Sequence, residues 1–379
     1  MLITHKNQYI ARMPDGRLFC CYHTSADGGC VRIYEGGRWG KPNVIAPEAQ
    51  PHISAALDHH GVFYLIYQDR SGNIHLQRYH NEWRSRLLIK NEEGTSLPSR
   101  VHIHPLIDEG GLSLLYNSGG GLMLRAMDFG GGWGQPYLLD SALAGGEFVV
   151  QNLSSSHALV FYNKVGAETV LGYREVSPNR YTSFNPVWRM GTGQNVADAS
   201  FLATNDSLHG IIITKGMFSS QLVYMRKLDE SFNGVQVLAE TKNLGNCLLM
   251  YVGGILYAFV MSDGQLIYTS SKDHGTSFSP MKRYTNKFCA IPAKATYLSH
   301  RSMSEGEYLV RHLYVDRNNV ADIQLLPDLY EAFYPISNNK ATQGEISEYK
   351  EKLEKTQAQL EEKDALLHQL RKRLNDEDT

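Results

Sequence analysis

Apolar residues in this chain gather in runs of about four to eight, many of them β-branched or aromatic, separated by turns rich in Gly, Asp, Asn and Ser. Runs of that length and composition predict strands, not helices. The pattern also recurs: a unit of roughly 45 to 52 residues returns about seven times before residue 335. Its clearest copy runs Gly61-Val62-Phe63-Tyr64-Leu65-Ile66-Tyr67, turns at Asp69-Arg70-Ser71-Gly72-Asn73, and resumes as Ile74-His75-Leu76-Gln77-Arg78-Tyr79. It ends beyond Trp83 at Leu87-Leu88-Ile89. The first and third copies keep the same spacing, with Trp39 and Trp133 in the place of Trp83, and the fourth carries a final Trp188. The sixth has Ile255 to Val260, Gln265 to Thr269 and a late strand near Met281 to Tyr284. The seventh has one long strand, Glu307 to Tyr314, then Asp322 to Leu326.

Several short strands per unit cannot bury their own faces, whereas units arranged radially cover one another. The expected fold is therefore all-β: a seven-bladed β-propeller of four-stranded antiparallel blades over residues 1–335, with six blades as the rival count. The seventh copy lacks an obvious fourth strand. Leu2-Ile3-Thr4, which has no other place in the pattern, is expected to supply it and close the ring.

Periodicity changes after Tyr334-Pro335. A polar linker over 336–344 leads into a segment, 345–379, in which Ile346, Leu353, Leu360, Leu367 and Leu374 recur every seven residues among Glu, Lys, Gln and Arg. This predicts a C-terminal coiled-coil helix that self-associates, with a solvated single helix as the alternative because Thr356 and Lys363 spoil the second seam.

Composition narrows the function. The formal net charge of −2 lacks the basic footprint of a nucleic-acid binder. No apolar run is long enough to span a membrane. The N-terminal residues show no signal-peptide core, and the five cysteines (20, 21, 30, 247 and 289) are odd in number and scattered. A cytoplasmic, reducing location with free thiols is the expectation. Nucleophile-elbow, P-loop and His-Glu-x-x-His patterns are absent from the sequence, and no cofactor is expected.

Ser271-Lys272-Asp273-His274-Gly275-Thr276-Ser277-Phe278 resembles the Asp-box of sialidases and related propellers. That resemblance implies a structural turn built on Ser271, Asp273, Gly275 and Phe278, between the third and fourth strands of a blade and away from any active site. Arg12-Met13-Pro14 resembles the first-strand Arg-Ile-Pro of sialidases, in which the arginine grips a substrate carboxylate. On that analogy Arg174 and Arg311 are candidate further arginines and Tyr314 a candidate tyrosine, but no Arg-Ser-x-Asp segment follows to supply the acid. Ser71 to Tyr79 followed by Trp83 is similar to the repeats of fucose-binding propeller lectins. This implies sugar stacking on Trp39, Trp83 and Trp133 with polar help from Arg78; the alternative is that each tryptophan packs between blades. His52, His102 and His104 sit on presumptive inner strands and form a candidate axial metal or anion site. The expectation is a non-enzymatic, multivalent binding propeller for a protein or glycan, with a sialidase-like hydrolase and a lectin as alternatives.

Overall fold

The computed structural model describes residues 8–35, 38–58, 60–91, 102–108, 111–118, 120–127, 132–141, 143–152, 157–177, 180–191, 193–204, 207–228, 231–284, 292–299, 308–316 and 323–324. No helix occurs among them. The chain divides into a unit ending at Leu325 and a second from Leu326 onward. All of the second unit, with Ile346, Leu353, Leu360, Leu367 and Leu374, lies outside the described residues, as do Leu2, Ile3 and Thr4.

The first meander is β1 (Tyr9–Arg12), β2 (Leu18–Thr24), β3 (Gly28–Glu35), β4 (Arg38–Trp39) and β5 (Asn43–Ala46). The second is β6 (Ala49–Leu57), β7 (Phe63–Asp69), β8 (Ile74–His80) and β9 (Glu82–Ile89). The third is β10 (Ile103–Asp108), β11 (Gly111–Ser118), β12 (Gly121–Ala126) and β13 (Tyr137–Asp140). The fourth is β14 (Leu143–Asn152), β15 (Ala158–Lys164), β16 (Val170–Ser177), β17 (Arg180–Tyr181) and β18 (Asn185–Arg189). The fifth is β19 (Asn195–Ala203), β20 (Leu208–Lys215), β21 (Ser220–Leu228) and β22 (Ser231–Thr241). The sixth is β23 (Leu244–Val252), β24 (Ile255–Ser262), β25 (Gln265–Ser271) and β26 (Lys282–Arg283). Within each, successive strands pair antiparallel, except that β5 returns to β3 and β18 to β16.

Each core cluster is made by two consecutive sheets, as alternation along a strand dictates. Phe19, Cys21 and Val31 of the first meander pack on Phe63, Leu65 and Tyr79 of the second. Ile66, Ile74 and Leu76 on the second sheet's other face meet Leu112, Leu114 and Tyr116 of the third. The same exchange continues from third to fourth, fourth to fifth and fifth to sixth. Full burial of a large apolar side chain contributes roughly 1.5–3 kcal/mol, so sheets that cannot cover themselves are stabilised mainly by their neighbours. This succession is a β-propeller.

The last stretch departs from the expected pattern. β27 (Pro292–Ser299), a strand not anticipated from the sequence, runs parallel to β1, with Ile10 opposite Tyr297 and Ala11 opposite Leu298. The expected single strand from Glu307 to Tyr314 is divided. β28 (Tyr308–Val310) pairs with β23, whereas β29 (His312–Asp316) pairs with β27, and β30 (Ile323–Gln324) follows on β29. Arg311 is the crossing point, its carbonyl accepting the Tyr297 N–H at 2.7 Å. An apolar run of this length is read as continuous because it has no Gly or Pro at the bend.

A buried polar knot ties three first strands together. Lys294 of β27 donates from Nζ to Asp198 Oδ1 of β19 at 3.0 Å, and to the carbonyls of Ala199 and Cys247 at 2.8 Å each. Asp198 Oδ2 also accepts the Cys247 N–H of β23 at 2.8 Å. Burial raises the Cys247 thiol well above its ordinary value, leaving it a packed, protonated side chain.

Candidate functional site

The outer hairpins repeat in register. Trp39 lies opposite Tyr34, Trp83 opposite Tyr79, Trp133 opposite Met127, Tyr181 opposite Val176 and Phe232 opposite Lys227. An aromatic residue thus occupies one equivalent position in five consecutive meanders. In the fourth it is Tyr181; the expected Trp188 sits later, opposite Leu171.

Two residues before the opposed position, the third strand carries an arginine in the first, third and fourth meanders. Each holds the hairpin in the same way. Arg32 Nε donates to Gly40 O at 2.9 Å, Arg125 Nε to Gly134 O at 2.8 Å and Arg174 Nη1 to Thr182 O at 2.6 Å. The acceptor is always the residue after the aromatic one. In the second meander the position is Gln77, whose Nε2 donates to Ser85 Oγ at 3.2 Å, and in the fifth it is Met225. Arg78, the arginine singled out from sequence, is one residue off this register. It is exposed on the opposite face beside Tyr64, whose hydroxyl donates to Asp58 at 3.0 Å and which burial pushes up to about 12.

The aromatic residues divide by role. Trp83 packs within 5.1–6.3 Å of Phe19, Phe63 and Tyr79, and Trp133 donates from Nε1 to Leu88 O of the preceding sheet at 2.7 Å. Both are wedges between sheets. Phe232 meets Tyr173 edge-on at 5.9 Å in the same manner. Trp39 contacts only Tyr34 among described rings, at 5.3 Å, and Tyr181 lies exposed against exposed Tyr137 at 4.9 Å, their hydroxyls bonded to each other.

The arginines divide likewise. All three nitrogens of Arg174 are engaged: besides the Nη1 bond, Nε donates to the Tyr162 hydroxyl at 2.8 Å and Nη2 to Asp140 Oδ2 at 3.2 Å. Asp140 also accepts from Tyr162 and Lys164. Burial works to raise this carboxyl, but the hydrogen bonds from Tyr162, Lys164 and Arg174 outweigh it and hold it below the ordinary range. Arg32 and Arg125 differ, since among the described residues their terminal nitrogens donate to no protein acceptor. Arg125 lies 5.7 Å over the Trp133 ring. Guanidinium donors beside an aromatic edge suit the hydroxyls and C–H face of a sugar.

The sialidase-type candidates occupy different environments. Arg12 ends β1, Arg174 is held in the third-to-fourth seam, and Arg311 sits at the sheet crossing, where burial pulls its guanidinium down to about 10. Tyr314 is fully buried and its hydroxyl donates to the Asn246 carbonyl, so it is enclosed against a substrate. Among the histidines, His102 stacks on Phe148 at 4.4 Å, and burial, followed by the charges of His52 and His104, pushes it down to about 3. No group of three or more His, Cys, Asp or Glu side chains able to hold a metal occurs among the described residues.

The turn at Ser271 is a closed hydrogen-bonded loop. Ser271 Oγ donates to Asp273 Oδ1 at 2.7 Å and accepts the Gly275 N–H at 2.7 Å; Asp273 accepts Ser277 N–H at 2.9 Å and Ser277 Oγ at 2.6 Å. The Ser277 bonds hold the exposed Asp273 carboxyl far below the carboxylate range. Gly275 takes φ +84°, and Phe278 meets Tyr224 of the preceding sheet at 4.7 Å. Arg226 and Gln236 of that sheet donate to the turn carbonyls of His274 and Thr276. Its role is docking one sheet on the next.

No protein-family model matches this sequence, and no curated protein is similar to it. Among solved structures, the BP39L lectin from Burkholderia pseudomallei superposes with a TM-score of 0.52 at 14% identity, covering 73% of this chain and 83% of the lectin. The polysaccharide lyase Uly1 does so with a TM-score of 0.52 at 9% identity, covering 85% and 89%. The Aleuria aurantia lectin, described as a six-bladed β-propeller, gives 0.44 at 12% identity over 74% and 96%. Likeness at this level of identity is one of fold.

Proposed function

We propose that this chain is a non-enzymatic carbohydrate-binding β-propeller that engages its ligand at the outer seams between sheets. The observation that carries this reading is the arginine held to the hairpin carbonyl beside an aromatic residue, repeated in register at Arg32–Trp39 and Arg125–Trp133 with guanidinium donors to spare. Trp39 offers a ring face, and Trp83 and Trp133 serve as seam walls. Arg78 contributes a rim cation. Repetition of one arrangement around a ring fits a polymeric or clustered ligand, because weak contacts add through effective concentration. The lectin among the neighbours of comparable fold agrees with this reading.

Seven blades is the proposed count, with β27, β29 and β30, which share a sheet with the first meander, as a partial seventh beyond the six meanders, and six as the rival. The Ser271 turn supports kinship with Asp-box propellers as an architecture; docked on its neighbour, it leaves no chemistry to carry over. The heptad stripe from Ile346 to Leu374 supports a tail that gathers several propellers. Cys20, Cys21, Cys30 and Cys247, buried and unbridged, fit a reducing, cytoplasmic setting. No described helix is long and apolar enough to cross a membrane.

The test is a glycan array probed with the intact chain and with Arg32→Ala, Arg125→Ala and the double variant. Losing a charged hydrogen-bond donor costs about 1.5–3 kcal/mol, so each single change is expected to weaken binding tenfold or more. Far-UV circular dichroism should stay unchanged. A wild-type chain that binds no glycan, or a double variant that binds equally well, would overturn the reading.

A further inference from the structure

The turn between β20 and β21 departs from its counterparts in the first, second, third and sixth meanders. Corresponding turns carry Ser25-Ala26-Asp27, Arg70-Ser71-Gly72, Gly120 and Asp263-Gly264, the small polar and glycine residues that tight hairpins favour. Here the Gly216 N–H donates to Ser219 O at 2.9 Å, and the two residues at the tip are Met217 and Phe218. They are 86% and 85% exposed, far more than any other large apolar side chain of the described residues. Neither takes the positive φ that would explain an unusual residue choice. They bury nothing, so folding does not account for them. Exposed Lys215 precedes the tip, exposed Lys242 lies across the hairpin with its carbonyl accepting Ser220 Oγ at 3.3 Å, and Val165 is half-exposed at the equivalent turn of the preceding sheet.

We propose that the Met217–Phe218 tip is a membrane-contact point that inserts into the interfacial layer of an anionic lipid bilayer. Two features select a bilayer over a protein partner. A stable protein interface buries about 800 Å² per partner, whereas this tip offers two side chains set among Gly216, Ser219, Ser220 and Glu240. A bilayer needs no complementary groove, accepts single protruding apolar side chains, and draws in flanking lysines. The inserted element is a turn, so no spanning segment is involved. The inference does not depend on carbohydrate recognition.

The intact chain should be sedimented with sugar-free vesicles of phosphatidylcholine alone and of phosphatidylcholine with phosphatidylserine, beside Met217→Ser/Phe218→Ser and Lys215→Gln/Lys242→Gln variants. The serine variant should keep its melting temperature, because both side chains are solvent-facing, and should bind mixed vesicles at least tenfold more weakly. The glutamine variant should lose the preference for anionic over neutral vesicles. Absence of wild-type binding to mixed vesicles overturns the proposal, as does binding that the serine change leaves intact. A serine change that alters self-association in sedimentation without altering vesicle binding identifies a second copy as the partner, and also overturns it. Because the vesicles carry no glycan, failure here leaves the carbohydrate reading standing, and failure on the array leaves this one standing.

Discussion

At Gly275 the backbone and its surroundings make the same demand. The residue holds φ +84°, and a Cβ there would overlap the Tyr224 hydroxyl of the preceding sheet. Left-handed strain and overpacking each cost about 1–3 kcal/mol. Gly275→Ala should therefore destabilise the β unit by roughly 2–4 kcal/mol, measured as a lower urea midpoint, and a shift below 1 kcal/mol would refute the close approach. The same tyrosine hydroxyl meets His209 Nδ1 at 2.8 Å, while Ser207 Oγ meets Nε2 at 2.9 Å. Burial, then the nearby charges of Arg226 and His274, pushes this imidazole down to about 4. An unfolded histidine titrates near 6.5, so between those values the unfolded chain binds the extra proton. The contribution is complete above about pH 6.5 and is lost as pH falls toward 4, amounting to about 3 kcal/mol over that window. Melting curves across it should show a shallower acid slope for His209→Gln; a slope identical to wild type would remove His209 from the account. The pattern from Ser271 to Ser277 stands out in the sequence because its hydrogen bonds are local, whereas its docking on Tyr224, Arg226 and Gln236 is not. The arginine position does not stand out, because Arg32 and Arg125 are recognised by what lies across the hairpin, and Arg78 drew attention by standing in the clearest repeat.

Strand order followed from the apolar runs, since a strand's own alternation and its turn residues are encoded within a few positions. Elements whose partners are distant in sequence were misread. Pro292–Ser299 is defined by β1, nearly the whole chain away, and the run to Tyr314 divides at Arg311 because two sheets compete for it. The Asp198–Lys294 pair has the same origin: neither residue is conspicuous in its own repeat, yet they meet across three first strands. Breaking a buried ion pair on one side destabilises by about 3–5 kcal/mol, whereas replacing both partners by apolar residues is far milder. Lys294→Met should lose that much in urea denaturation. Asp198→Leu/Lys294→Met should recover part of it, though not all, because the Cys247 and Ala199 N–H groups lose their acceptor. Single variants that differ from wild type by less than 1 kcal/mol would show the pair to be incidental.

For the β unit as a whole, closure decides whether the sheets unfold together. The parallel pairing of β1 with β27 joins the first meander to the last stretch of the β unit; the closure by Leu2, Ile3 and Thr4 expected from the sequence lies outside the described residues. Tyr9–Arg12 is therefore hydrogen-bonded on both sides, and a proline within it removes a donor from a central strand and leaves a buried acceptor unpaired, at a cost of about 1–3 kcal/mol. Ala11, fully buried between Phe19 and Leu298, is the position to change. In the wild-type chain, tryptophan fluorescence, which reports Trp39, Trp83, Trp133 and Trp188 of the first four meanders, should unfold at the same urea concentration as the far-UV signal of all the strands. Ala11→Pro should separate the two transitions, because an opened ring lets sheets far from the break unfold independently. Deleting Met1 to Lys6 leaves every Tyr9–Arg12 pair in place, and its effect should be the smaller of the two. Coincident transitions in Ala11→Pro, or a larger loss on deletion, would place the closure outside β1 and β27.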